Sequence, residues 1–204
     1  MTRKLVFVMI VAAACGKKDG GGDKGGGDKK SGGGTVDPGP ANAAIPAAWK
    51  GKIEFEAATI ADDFDKEGTV KAVIPKGWVG GKGIKAMREP PETAKDFGFG
   101  THVWSGSGCG GECKERPATE LEKEANKSFF DNLLAHTPPP KVIKDDKTPG
   151  HRLLVVEEDS SMKIMAAWWK DGGKRFQFCT VELAKEAKDL EPAFEAACNQ
   201  QPAE

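Results

Sequence analysis

Five cysteines, three histidines and one glycine-rich run carry most of the reactive chemistry in this 204-residue chain. Cys109 and Cys113, with His102 upstream, offer two soft thiolates and an imidazole, a set suited to Cu(I) or Zn. Joined to each other, the same two cysteines make a structural or a redox-labile disulfide. The run Gly106-Ser107-Gly108-Cys109-Gly110-Gly111 matches the dinucleotide-binding fingerprint, whose glycines let backbone approach a pyrophosphate at a helix N-terminus. Its context argues against that reading, because Cys113, Pro117 and the charged residues between them separate the run from the next helix, and no alternation of strands and helices follows. Asp63-Phe64-Asp65-Lys66-Glu67-Gly68 begins like a calcium loop, but the twelfth position is Ile74, where a bidentate Glu belongs, so the segment reads as a solvated turn. Nucleophilic catalysis has little material. There is no Gly-x-Ser-x-Gly elbow and no His-Glu-x-x-His, and His102, His136 and His151 are the only imidazoles. A non-enzymatic protein without a cofactor or a resident metal is expected.

Two features bear on binding. Trp168-Trp169 would put one indole on each face of a strand, so that an outward one near Trp104 could stack on a sugar ring or on a partner's aromatic group; the terminal helix is the expected cover. The chain has 30 basic and 31 acidic side chains, five Trp, ten Phe and no Tyr. Such a balance gives no electrostatic footprint for nucleic acid.

The elements that must position these residues begin with a segment meant to be removed. Arg3 and Lys4 precede ten unbroken apolar residues, 5–14, and then Cys15. At 1.5 Å per residue such a helix covers roughly 15 Å, about half of a hydrocarbon core of ~30 Å, so it reads as a secretory signal and not as a span. Val11-Ala12-Ala13-Ala14-Cys15 resembles the lipobox of bacterial lipoproteins, with Ala12 where Leu is typical. The resemblance implies cleavage before Cys15, diacylation of its sulfur and acylation of its new amino group. Two or three acyl chains anchor stably where one is marginal, because each buried methylene contributes ~0.8 kcal/mol. The membrane, reached through these chains, is thus an expected partner, and an envelope protein or a glycan is the expected class of further partner. Gly16, where some sorting rules look for Asp, points to the outer membrane before the plasma membrane.

Residues 16–41 repeat a Lys/Asp-then-triple-Gly unit with nothing to bury, so residues 15–41 read as the lipidated cysteine and a flexible tether. Its root-mean-square reach is roughly 25–30 Å. Residues 42–204 are of a size for one domain. Four cysteines remain there, Cys109, Cys113, Cys179 and Cys198, and an even count in an exported chain reads as two disulfides. Three pairings exist in principle. Local spacing favours Cys109–Cys113 with Cys179–Cys198, the second joining a strand to a helix.

Period-two alternation predicts strands around Phe55, around residues 70–74, and through Phe97, Phe99, Thr101 and Val103 up to Trp104. Thr119-Glu120-Leu121-Glu122 fits a capping box at the start of a helix whose apolar residues Leu121, Ala125, Phe129 and Leu133 recur every four positions. Pro138-Pro139-Pro140 ends that helix by His136. Short strands at 142–143, 153–157, 162–169 and 175–181, split by turn residues, predict an antiparallel meander. A tail helix over 189–200 places Leu190, Phe194, Ala197 and Cys198 on one face. Val73-Ile74-Pro75-Lys76-Gly77-Trp78, together with Arg175-Phe176-Gln177-Phe178-Cys179 and Phe194-Glu195-Ala196-Ala197-Cys198, resembles PsbP-like α/β domains of bacterial lipoproteins. That resemblance implies a single α+β domain, an antiparallel sheet sandwiched by helices, of a kind that binds or scaffolds. No functional residue carries over from it.

Overall fold

A computed structural model describes residues 36–65, 68–81, 83–110 and 113–200. All of these fall in one compact unit, residues 31–204; the other unit, residues 1–30, lies wholly outside the described residues, as do the signal segment, Cys15 and residues 16–35.

The described residues form nine strands, seven of them where the patterns place strands and two, β3 and β4, where no strand is expected. β1 (Phe55–Ala61) and β2 (Thr69–Pro75) form a separate antiparallel hairpin, and β3 (Val79–Gly81), β4 (Ile84–Glu89), β5 (His102–Gly108), β6 (Lys141–Thr148), β7 (His151–Glu157), β8 (Ser161–Trp168) and β9 (Phe176–Ala184) form one sheet. Its order is β3-β4-β5-β9-β8-β7-β6, with every neighbouring pair antiparallel. The last four strands are the expected meander, and β5 inserts beside β9 to join it to the front half of the chain.

Central strands of this sheet are apolar on both faces because both faces are covered. Leu153, Val155, Ile164, Ala166, Cys179, Val181 and Leu183 belong to one core, roofed by the β1–β2 hairpin, α1 (Gly39–Ala43), a 3₁₀ turn (Lys185–Leu190) and α4 (Glu191–Cys198). Leu154, Val156, Met165, Ala167, Phe176 and Phe178 belong to the other, roofed by α2 (Ala118–Ala125), a π-helical turn (Asn126–Phe130) and α3 (Asp131–Leu134) through Leu121, Ala125, Phe130 and Leu133. Each fully buried Leu or Phe contributes about 1.5–3 kcal/mol, so the two roofs and the sheet hold one another. The chain is therefore α+β, an antiparallel sheet sandwiched by helices, as the sequence predicts.

Three local expectations are corrected. Phe97 lies in a 3₁₀ turn (Lys95–Phe97) and is buried against Trp49 and Trp78, while Phe99 is fully exposed, and the strand begins only at His102. Gly98 and Gly100 both have positive φ, 74° and 92°, which breaks the pleat that the alternation suggested. Second, the capping box does not form. Pro117 occupies the N-cap with no side-chain cap of its own, and Asp171, from the turn between β8 and β9, accepts from Ala118 N at 3.1 Å instead. Third, order starts before residue 42. Val36 and Ala41 are buried, Pro40 sits in the first turn of α1 where its missing N–H costs nothing, and the Asn42 amide accepts from Phe55 N (2.7 Å) and donates to Phe55 O (2.9 Å).

Both expected disulfides are present: Cys109–Cys113 and Cys179–Cys198, with Cα–Cα separations of 5.2 and 5.4 Å. The second staples β9 to α4 inside the first core. Closing its loop contributes about 3 kcal/mol in the chain-entropy account.

Candidate functional site

The chemistry-bearing residues converge where β5 ends. Gly106 and Gly108 stand opposite Phe178 and Phe176 in the ladder. A Cβ at either glycine would lie 2.8 Å from Phe178 Cζ or 2.6 Å from Phe176 Cζ, so the two rings lie across the glycine backbone. This is aromatic cover of strand glycines, a device that pins register. Gly106 and Gly108 therefore serve packing inside a strand, while Gly111 of the run lies outside the described residues. The next helix starts only at Ala118, so no pyrophosphate cradle forms.

The turn after β1 crosses to this strand end. Asp62 is buried; it accepts from Phe64 N at 2.9 Å and from the hydroxyl of Ser107. Asp63 accepts from two β4 amides, Lys85 N (2.7 Å) and Ala86 N (3.1 Å), and from Trp104 Nε1 (3.2 Å). Arg175 donates to Ser107 Oγ (3.3 Å) and to Phe64 O (3.4 Å), and lies 3.5 Å from Asp65. Of the carboxylates that would face calcium in a half EF-hand, Asp63 is engaged by protein N–H groups and Asp65 by a guanidinium, while Glu67 lies outside the described residues. Among the described residues no group of His, Cys, Asp and Glu is placed to hold a metal.

Beside this network five rings are in contact. Trp104 packs on Phe178 (5.0 Å between centroids), Phe64 (5.9 Å) and Phe129 (6.5 Å), and Phe129 packs on Phe178 and Phe176. Phe64 is 56% exposed, so the cluster reaches the surface there. The tryptophan pair does not add to it. Trp169 is buried in the core under α2, and Trp168 points to the α4 face, stacked on His151 at 5.4 Å. Trp104 and Trp168 are on opposite faces, so no outward indole from the pair lies beside Trp104.

The Cys109–Cys113 loop continues from β5. Arg116 donates from Nη2 to Cys109 O at 2.5 Å and is paired through its backbone with the β8–β9 turn, Arg116 N to Gly173 O (3.0 Å) and Gly172 N to Arg116 O (3.1 Å). His102 opens β5 and Cys109 follows its last residue, so about 3.3 Å per residue puts them roughly 20 Å apart. The His-plus-two-thiolate ligand set is not assembled. His102 Nδ1 instead lies 2.8 Å from Gly100 O.

Elsewhere, polar residues the sequence reading passed over are fixed in pairs. Arg152, 5% exposed, donates to both oxygens of Asp145 (2.9 and 3.0 Å) and to Asn126 Oδ1 (2.6 Å), with its guanidinium 4.5 Å from the Phe130 ring centroid. The π-helical turn brings Asn126 and Phe130 to it together. Burial opposes the charge of Asp145, but its hydrogen bonds to Arg152 and Lys147 outweigh this and hold its carboxyl below the ordinary value. Glu158 has the same balance, with Lys163 and His136 overcoming burial. Glu157 is held low by Lys188 and Lys141. Glu191 is pushed up by burial and by Glu195 beside it. Burial pushes His151 down. Asp63 and Asp65 are marked in the sequence by the half calcium loop and Ser107 by the glycine run, each for a chemistry it does not serve here; nothing local marks Arg152 or Asn126. A cavity of about 20 Å³ between β2 and α4, lined by Ser105, Trp168, Gln177 and the buried disulfide, has room for a water and none for an organic ligand.

The fold and the site define a disulfide-bonded α+β sandwich whose glycine-rich strand end is closed by a hairpin turn. The chain matches no protein-family model and no curated protein. No helix among the described residues is long and apolar enough to cross a membrane.

Proposed function

We propose that this protein is a membrane-anchored envelope lipoprotein whose domain acts as a non-enzymatic binding or scaffolding module. The observation that carries the reading is the order of residues 3–15: a basic pair, an apolar run too short to span, three alanines and Cys15. The glycine-rich segment that follows, and two disulfides in the domain, fit a chain exported to an oxidising compartment. Acyl chains on Cys15 hold the membrane, the outer one by the Gly16 criterion. An envelope protein or glycan is the class of partner, and the charge balance favours no nucleic acid. The non-enzymatic reading is supported by the engagement of Ser107 with Asp62 and Arg175, without an imidazole to act as base.

Intact mass of the membrane-extracted protein, with alkylation before and after reduction, tests this. Two or three acyl chains on a chain beginning at Cys15, with four cysteines that alkylate only after reduction, is the expected result. An unmodified Cys15, or a cut elsewhere, refutes the anchor. A second reading, thiol-based redox work or copper or zinc handling through Cys109 and Cys113, is favoured in its redox form by one contrast: Cys113 is exposed, whereas Cys179 and Cys198 are buried.

A further inference from the structure

We infer that the Cys109–Cys113 disulfide is a thiol-exchange site for a dithiol donor, and that its redox state is coupled to the docking of α2 on the sheet. The inference rests on the second reading above and is independent of the lipid anchor.

Thiol–disulfide exchange needs a sulfur the attacking thiolate can reach and a leaving thiolate that is stabilised. The two disulfides differ sharply in the first respect. Cys179 and Cys198 are 6% and 1% exposed inside the core, whereas Cys113 is exposed and Cys109 half-buried. Attack on Cys113 Sγ is therefore the open route, with the S–S electron pair leaving on Cys109. The Arg116 guanidinium is bonded to the backbone carbonyl of that same cysteine, so the residue whose thiolate departs carries a cation on its main chain. A neighbouring cation lowers a thiol's pKa and improves it as a leaving group. The donor's second thiol then attacks the mixed disulfide and releases the Cys113 thiolate. The products are the reduced loop and the oxidised donor, so two electrons pass from the donor to the loop.

Coupling to α2 follows from what the loop is tied to. Arg116 is two residues before Ala118, it joins the loop to the β8–β9 turn by two backbone bonds, and Asp171 from that turn caps α2. Arg116 Nε is buried with no acceptor, so the closed loop holds a donor away from water at a cost. Opening the five-residue ring frees Arg116 to hydrate and loosens the start of the helix that roofs the second core.

The test titrates the oxidised protein with dithiothreitol under native conditions, quenches by alkylation, maps the modified cysteines and follows amide exchange. Cys109 and Cys113 should open together at about one-tenth or less of the reductant needed for Cys179 and Cys198. Amide exchange over residues 118–125 should then rise about tenfold while residues 153–156 stay protected. In Cys113→Ser, with the buried disulfide resisting alkylation as proof of folding, Cys109 should alkylate with an apparent pKa below the ordinary ~8.5, and Arg116→Gln should raise it. Simultaneous opening of both pairs, unchanged exchange over 118–125, or a Cys109 pKa at or above the ordinary value would each overturn the inference.

Discussion

Replacing Gly108 by alanine isolates the reason for the glycine-rich strand end. Neither Gly106 nor Gly108 has a positive φ, so the backbone itself admits alanine at both. What stands in the way is the ring of Phe176, whose Cζ, Cε2 and Cε1 would lie 2.6, 3.1 and 3.2 Å from the new Cβ. That ring is 2% exposed and belongs to the core under α2, so it cannot swing into solvent. Overpacking of this kind costs about 1–3 kcal/mol. Loss of glycine entropy from the unfolded chain returns about 0.4–1 kcal/mol. A net destabilisation of about 1–2 kcal/mol is expected, a shift of about 0.5–1 M in the urea midpoint for a slope near 2 kcal/mol/M, measured with both disulfides intact. Phe176→Leu removes the Cζ that would be struck. In the double variant the two losses should therefore fall short of their sum by about 1 kcal/mol. A neutral or stabilising Gly108→Ala, or strict additivity with Phe176→Leu, would refute the account of these glycines as space for cross-strand rings.

Other expectations follow from single contacts. Arg152→Ala should cost about 2–4 kcal/mol in denaturant unfolding, because it strands Asp145 and Asn126 partly buried; Arg152→Lys, which keeps a cation for Asp145 but loses the two-pronged fork, should cost clearly less. Asp171→Ala should cost about 1 kcal/mol, as for any lost N-cap, whereas Thr119→Ala should be near neutral, the reverse of what the capping-box motif suggests. Asp145, Glu157 and Glu158 are held below their ordinary values, so their contribution is full above pH about 4.5 and is lost as pH falls through the folded values. His151, a base with a depressed value, adds an earlier loss that begins as pH falls below about 6.5, and His151→Phe should remove that early slope from a stability-versus-pH curve. Glu191 has the opposite sign: its raised value penalises folding above that value and the penalty fades on acidification, so Glu191→Gln should stabilise the domain at pH 7.

The parts of the fold that could be read from sequence are those whose causes are local. The β7–β9 strands of the meander are apolar runs split by turn residues, Asp159-Ser160 and Asp171-Gly172-Gly173, and Pro149-Gly150 sets off the charged edge strand β6, so pattern and punctuation agree. Both disulfides follow from short separations, 4 and 19 residues, in a chain with few other choices. The hairpin of β3 and β4 was missed because its pairing is supplied from a distance. β3 is three residues containing Gly80 and Gly81, β4 meets β5 at only two ladder positions, and Asp63 from another hairpin takes up two β4 amides.

The site divides in the same way. Gly106, Gly108 and the two cysteines stood out, but their meaning depended on β9, some seventy residues later in the chain, where Phe176 and Phe178 stand opposite the glycines. Taken alone, the spacing of glycines fits a phosphate loop as well as it fits a strand crossed by aromatic rings. The rings decide, since a backbone covered by buried side chains cannot also present its N–H groups to an anion. Asp63 makes the same point with charge. A carboxylate in a turn reads as a solvated group or as a cation ligand, yet here it accepts from two strand amides and an indole, capping the start of β4. Strand ends leave unpaired amides just as helix ends do, and a nearby Asp can satisfy them in either setting.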